Sequence, residues 1–177
     1  MSVNFTSAAE NVLAFSAMPK SAQKAPLQDP PKSPVEIVRD SADALFRAAV
    51  ECCHQADRLS RLSSKSSIEL EQDSAVELCE ACNDTLRKLT AAYETAAADV
   101  KPTGADENWW HKANALWLAS REFLRRHRGC DVSSRELKQH GPDRLSALQT
   151  EYELEASALL ALKHAAEAYR QDRPTAI

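Results

Sequence analysis

Residues 33–62, SPVEIVRDSADALFRAAVECCHQADRLSRL, decide the fold. Ser33 is a good N-cap, Pro34 suits the first helical position, and Glu36 completes a capping box with Ser33. From there Val38, Ala42, Leu45, Ala49, Cys52, Ala56 and Leu59 recur at alternating spacings of four and three. That is an unbroken heptad seam and predicts a helix over 34–63. The Ser-rich stretch Ser63–Ser67 ends it.

The pattern repeats downstream. Ala75, Cys79, Cys82, Leu86, Leu89, Tyr93, Ala96 and Val100 form a second seam, predicting a helix over 67–100 stopped by Lys101-Pro102-Thr103-Gly104. A third helix is expected over 105–128, with Trp109, Ala113, Leu116, Ser120 and Phe123 in its seam. Arg125, Arg126, His127 and Arg128 suit the negative end of its dipole, and Gly129 suits the position just past a helix end. A connector with one helical turn (Ser134–His140) leads to Pro142, which opens a last helix over 142–173. Leu145, Leu148, Tyr152, Leu159, Leu162, Ala166 and Tyr169 supply its apolar face, and Glu155 falls where an apolar residue is due. Short connections between neighbouring helices imply antiparallel packing, so the expected fold is an all-α, antiparallel up-down-up-down four-helix bundle.

Residues 1–33 read differently. Five of the eight prolines lie between Pro19 and Pro34, the composition of an extended arm. Within it, residues 7–18 form a short amphipathic segment carrying Val12, Leu13, Phe15 and Met18. Residues 174–177 are a tail.

Composition narrows the function classes. The chain has 177 residues, 44% of them apolar, and only three glycines, too few for the frequent tight turns of a β-sandwich or barrel. Five cysteines, an odd number, and an N-terminus without a basic, uninterrupted apolar leader favour a reducing, cytoplasmic setting. No apolar run approaches the length of a membrane span. A net charge of −4 disfavours general nucleic-acid or anionic-membrane binding. Charge is uneven, however: residues 34–100 hold 7 Lys/Arg against 13 Asp/Glu, and residues 101–144 hold 9 against 6. Attraction within the bundle, or between protomers, is the simplest use of that asymmetry.

Four constellations carry candidate chemistry. Cys52, Cys53 and His54 on the first helix stand level with Cys79 and Cys82, a CxxC, across the first hairpin, and soft ligands converging there would suit zinc. Against this, Cys at seam positions behaves as a small hydrophobe, and a redox CxxC belongs at a helix N-terminus. Glu51 and His54 also fit half of the di-iron Glu-x-x-His pattern, and Cys130 follows Gly129 in an expected loop. Trp109, Trp110 and Trp117 read first as core, but Trp110, Trp117 and Leu124 make a second stripe beside the third seam, wider than a bundle needs, which a partner, a second protomer or the arm segment around Val12, Leu13 and Phe15 would cover. Arg121, Arg125, Arg126, Arg128, Arg135, Lys138 and Arg144 form a basic cluster over 121–144 suited to phosphates. Glu155 is expected half-exposed at a seam margin or paired with a basic residue of another helix, and His111 and His164 read as surface. With no Gly-rich loop and no nucleophile–base pattern, these features favour a non-enzymatic helical interaction or scaffold protein, self-associating or docking a partner. A zinc- or thiol-dependent protein and a nucleic-acid-binding subunit are the alternatives.

Overall fold

The computed structural model describes residues 31–63, 69–101 and 104–172, apart from the side chains at 69, 70, 72 and 105. Val12, Leu13 and Phe15 lie outside that range. The chain is all-α: α1 (Pro34–Ser63), α2 (Glu69–Ala97), α3 (Glu107–His140) and α4 (Leu145–Asp172), with single 3-10 turns at Gly104–Asp106 and Pro142–Arg144. There is no strand among the described residues. The capping box at the start of α1 is formed, Ser33 N–H donating to Glu36 at 2.7 Å and Glu36 N–H donating to Ser33 Oγ at 3.3 Å.

Bonds between helices fix their directions. Tyr93 donates to Asn114, and Asn83 reaches His127, so α2 and α3 run in opposite senses. Trp109 meets Tyr169 while His127 meets Glu155, which makes α3 and α4 antiparallel as well. Asp43 accepts from Tyr169 and Asp57 from Lys163, giving the same relation between α1 and α4. Among the described residues α1 and α3 touch across the bundle, whereas α2 and α4 do not. The cross-section is therefore a rhombus with α2 and α4 at its far corners.

The well-packed core fills one half of the bundle. Leu45, Leu86, Tyr93, Leu116, Leu162 and Tyr169 are fully buried there. Trp109 Nε1–H donates to the Tyr169 hydroxyl, which donates in turn to Asp43 at 2.8 Å, so both large aromatics enter with their polar atoms satisfied. Arg39 pairs with Asp106 at 2.6 Å and lies over the Trp109 ring, and Lys112 and Asn108 both hold Asp172. These contacts close that end.

Two expectations need correction. α3 does not stop at residue 128: it runs through Gly129 to His140, and the expected connector is its last three turns. A lone Gly inside a helix costs only about 1 kcal/mol, and residues 130–140 hold no proline to break the ladder. The stop is Gly141, at φ 77°, whose N–H caps the Leu137 carbonyl before Pro142. In α2, Ala75, Leu86 and Tyr93 of the expected seam are buried, but at two positions the next residue is the more buried: Asn83 and Thr90 are buried while Cys82 and Leu89 are half-buried. Thr90 is accommodated because its hydroxyl donates to the Leu86 carbonyl.

Replacing Gly129 by Ala tests the continuity of α3. The added methyl meets only the tip of the Glu151 side chain, which can rotate away, and the helix gains backbone rigidity. Gly129→Ala is expected to raise stability by roughly 0.5–1 kcal/mol, whereas Gly141→Ala, forced into positive φ, should lower it. Thermal melts of the two variants check both signs.

Candidate functional site

The other half of the bundle is built from smaller residues at its seam positions. Cys52, Ala56, Ser60 and Ser63 of α1 face Cys79 of α2 and Ala156 of α4 around a cavity of about 480 Å³. Phe123, Leu59 and Leu159 make its walls apolar, and Tyr152, about half exposed, stands on its rim. Helices held apart by the aromatic core at one end have too little side-chain bulk here to meet, so the space stays open.

A hydrogen-bonded chain borders this cavity and joins all four helices. Cys52 S–H (α1) donates to Asn83 Oδ1 (α2) at 2.9 Å. Asn83 Nδ2 donates to His127 Nε2 (α3) at 3.0 Å. That leaves Nδ1 as the protonated nitrogen of neutral His127, donating to Glu155 Oε1 (α4) at 2.6 Å. Cys130 also donates to Glu155. Phe123 stacks on the imidazole and fixes its plane.

The electrostatics follow from these partners. Glu155 raises the pKa of His127 above its ordinary 6.5 through the hydrogen bond, overcoming the opposing effect of burial. Burial pushes the Glu155 carboxyl up, but the bonds from His127 and Cys130 outweigh it and hold the group below its ordinary 4.5. Burial pushes Cys52 up to about 12, with the neighbouring Cys53, Cys82 and Cys79 adding to it, and pushes Cys130 to about 12. Both thiols are therefore neutral hydrogen-bond donors. A carboxylate–imidazole pair resembles a catalytic dyad, but here the imidazole lone pair accepts from an amide and burial holds the thiols protonated.

The sequence-derived candidates fall into place around this chain. Cys52 and Cys79 line the cavity, and Cys82 is half-buried beside α1. Cys53 packs on the outer side of α1 near Lys163, and His54 is exposed there with Arg58 and Arg61. Successive helical residues point about 100° apart, so Cys52, Cys53 and His54 cannot share one centre. No three His, Cys, Asp or Glu side chains among the described residues are placed to hold a metal ion. Trp110 and Trp117 are half-buried rather than bare: both pack against Tyr93 of α2, with ring centroids 6.4 and 6.5 Å away, and Arg121 lies over Trp117. Leu124 joins the edge of the same core. The broad aromatic face thus fills the groove between α2 and α3. In the basic cluster, Arg125 and Arg126 are both bound by Glu122, while Arg128, Arg135, Lys138 and Arg144 are exposed. Cys130 lies within α3, buried. His111 and His164 are exposed.

Asn83 and His127 were not singled out from the sequence. The signal for His127 was present: Phe123, His127 and Cys130 continue the third seam in the same four-three rhythm once the helix passes Gly129. Compared with known proteins, the chain matches no family model, no curated protein and no solved structure. No helix among the described residues is long and apolar enough to cross a membrane.

The His127–Glu155 pair has a pH signature. A raised imidazole pKa stabilises the fold fully below 6.5, and that contribution is lost as pH rises through the folded value. A lowered carboxyl pKa stabilises fully above 4.5, and that contribution is lost as pH falls through the folded value. The pair should contribute most between pH 4.5 and 6.5. Glu155→Gln is expected to cost about 1–3 kcal/mol, the scale for leaving a buried partner unsatisfied, and to flatten this dependence. Urea titrations across pH measure both effects.

Proposed function

We propose that this is a non-enzymatic helical interaction protein whose half-filled bundle end takes up apolar side chains from one face of a partner helix. The observation that carries the reading is the open apolar cavity among seam positions, where a heptad repeat would otherwise place bulk from its own helices. Apolar side chains continue outward from it: Tyr152, Leu145 and Leu78 are all exposed near this end. Helix-in-groove recognition needs these two elements, a hydrophobic groove and residues to accept anchors at helical spacing.

Charge indicates the partner's chemistry. From Glu71 to Asp84, α2 carries five carboxylates and no Lys or Arg. From Leu145 to Leu162, α4 carries Glu151, Glu153 and Glu155 and again no Lys or Arg. The fitting occupant is a basic amphipathic helix, apolar on one face and Lys- or Arg-rich along its flanks. The Asn83–His127–Glu155 chain borders the cavity and would meet a polar atom at the inserted face.

Binding of two synthetic helical peptides of equal length, one Leu/Lys and one Leu/Glu in heptad pattern, tests this reading by calorimetry. The basic peptide is expected to bind and the acidic one not. Ala56→Phe, which fills the cavity, should weaken that binding by roughly tenfold or more, a loss of about 1.4 kcal/mol, while the bundle melts at an equal or higher temperature. Equal binding of both peptides, or binding indifferent to Ala56→Phe, would contradict the proposal.

A further inference from the structure

We infer that two copies of this chain pair through the outer face shared by α2 and α3, with α2 of each copy laid antiparallel on α3 of the other. The face is identified by a groove in which Arg87, Ala91 and Glu94 of α2 stand beside Arg121, Arg125 and Arg128 of α3. Heptad continuation of those two rows defines the rest of it. Along α2 the row descends through Asp84, Glu80, Glu77 and Asp73, and along α3 through Val132, Arg135 and Gln139. Val132, 45% exposed, is an apolar side chain within the α3 row, and Val76, 42% exposed, stands beside the α2 row.

The two rows differ in how their charges are met. In the upper part Arg87 is paired with Asp84, Arg125 with Glu122, and Arg121 stands 3.9 Å from Glu94 over the Trp117 ring. In the lower part Glu77, Glu80, Arg128 and Arg135 are exposed and have no ion pair among the described residues. An acidic row and a basic row therefore lie side by side, each without a partner in its own chain.

Their heights match. The Asn83–His127 hydrogen bond sets a common level for α2 and α3, from which both rows descend. At 1.5 Å per residue, Glu80 lies about 4.5 Å and Arg128 about 1.5 Å below it. Glu77 and Arg135 lie at about 9 and 12 Å. A two-fold axis parallel to the helices exchanges α2 and α3 between copies and moves no residue along their length. Glu80 and Glu77 each then meet a cation within about 3 Å of their own height, twice over by symmetry. The perpendicular axis lying in the same face would set α2 on α2, carboxylate against carboxylate. Charge selects the first arrangement. This contact uses the outside of α2 and α3 and leaves the cavity itself free, although it shares the α2 carboxylates that flank the cavity, so a basic helix there would compete with it.

Charge reversal tests it, because the residues are exposed and the variants should keep wild-type helicity by circular dichroism. Wild-type protein is expected to sediment as a dimer at low ionic strength and to shift toward monomer near ~0.5 M salt, where screening acts over a few ångströms. Glu77→Lys/Glu80→Lys alone, and Arg128→Glu/Arg135→Glu alone, should each weaken self-association by roughly tenfold or more. Mixed in equal amounts, the two variants should form a heterodimer, since each then offers rows of one sign to rows of the other. A wild type that stays monomeric, reversals that leave the dimer unchanged, or a mixture that does not associate would each overturn the inference. Failure of the basic peptide to bind the cavity would leave it standing.

Discussion

Burial of Tyr93, Trp109 and Tyr169 at one end of the bundle sets the spacing of the helices along their length. Distances between packed helix axes follow the side chains at the contact, from about 8 to 10 Å. Three large rings, held by hydrogen bonds to Asn114, to one another and to Asp43, fix that distance where the core is dense. Stiff helices of 28–34 residues carry the spacing onward to positions occupied by Ala56, Ser60, Cys79 and Ala156. Small side chains cannot close the gap, and the cavity follows from the aromatics as much as from the residues that line it.

The same geometry explains the polar chain. A seam position that still reaches the interior, but faces a gap, can hold a group that dense packing would forbid. Asn83, His127 and Glu155 occupy three such positions on three helices, and each has a partner on the next. Protonating His127 would place a second N–H at Nε2, and Asn83 would have to turn its amide to accept it. Cys52 would then lose the oxygen to which it donates. The imidazole charge, the amide orientation and the α1 thiol are thereby linked across the bundle, although every contact between them is a single hydrogen bond.

Most of the fold is legible in the sequence because heptad periodicity, a capping box and two proline-marked stops all point the same way. α1 was readable to both of its ends, and the all-α class needed little more. What was not legible has physical causes. Gly129 resembles a C-cap, and only the absence of a following proline, together with the continuing seam through His127 and Cys130, argues otherwise. The burial of Asn83 and Thr90 in place of Cys82 and Leu89 hides a residue of the candidate site, since apolar periodicity favours Cys over Asn. The CxxC drew attention to Cys79 and Cys82, yet the site is organised by the histidine and the glutamate. Of the hydrogen-bonded chain, Cys52 was visible beforehand in the cysteine cluster and Glu155 as the carboxylate out of place in its seam.

Residues that break a local rule without a local gain are where function is expected, and here they cluster. Ala56, Ser60, Asn83, His127 and Glu155 stand at or beside seam positions where larger apolar residues would pack and stabilise. Trp110 and Trp117, by contrast, looked anomalous in the sequence and are ordinary in the structure, because α2 supplies Tyr93 against them. The aromatic surplus is absorbed within the chain, whereas the seam deficit is not. Stability has been given up along one half of the bundle and recovered in the other, and the half that gave it up also presents the exposed apolar side chains and the unmatched charge. An internal packing fault would leave a cavity alone. A cavity with apolar walls, an exposed tyrosine on its rim and satisfied polar groups along its border has the makings of the binding surface proposed above.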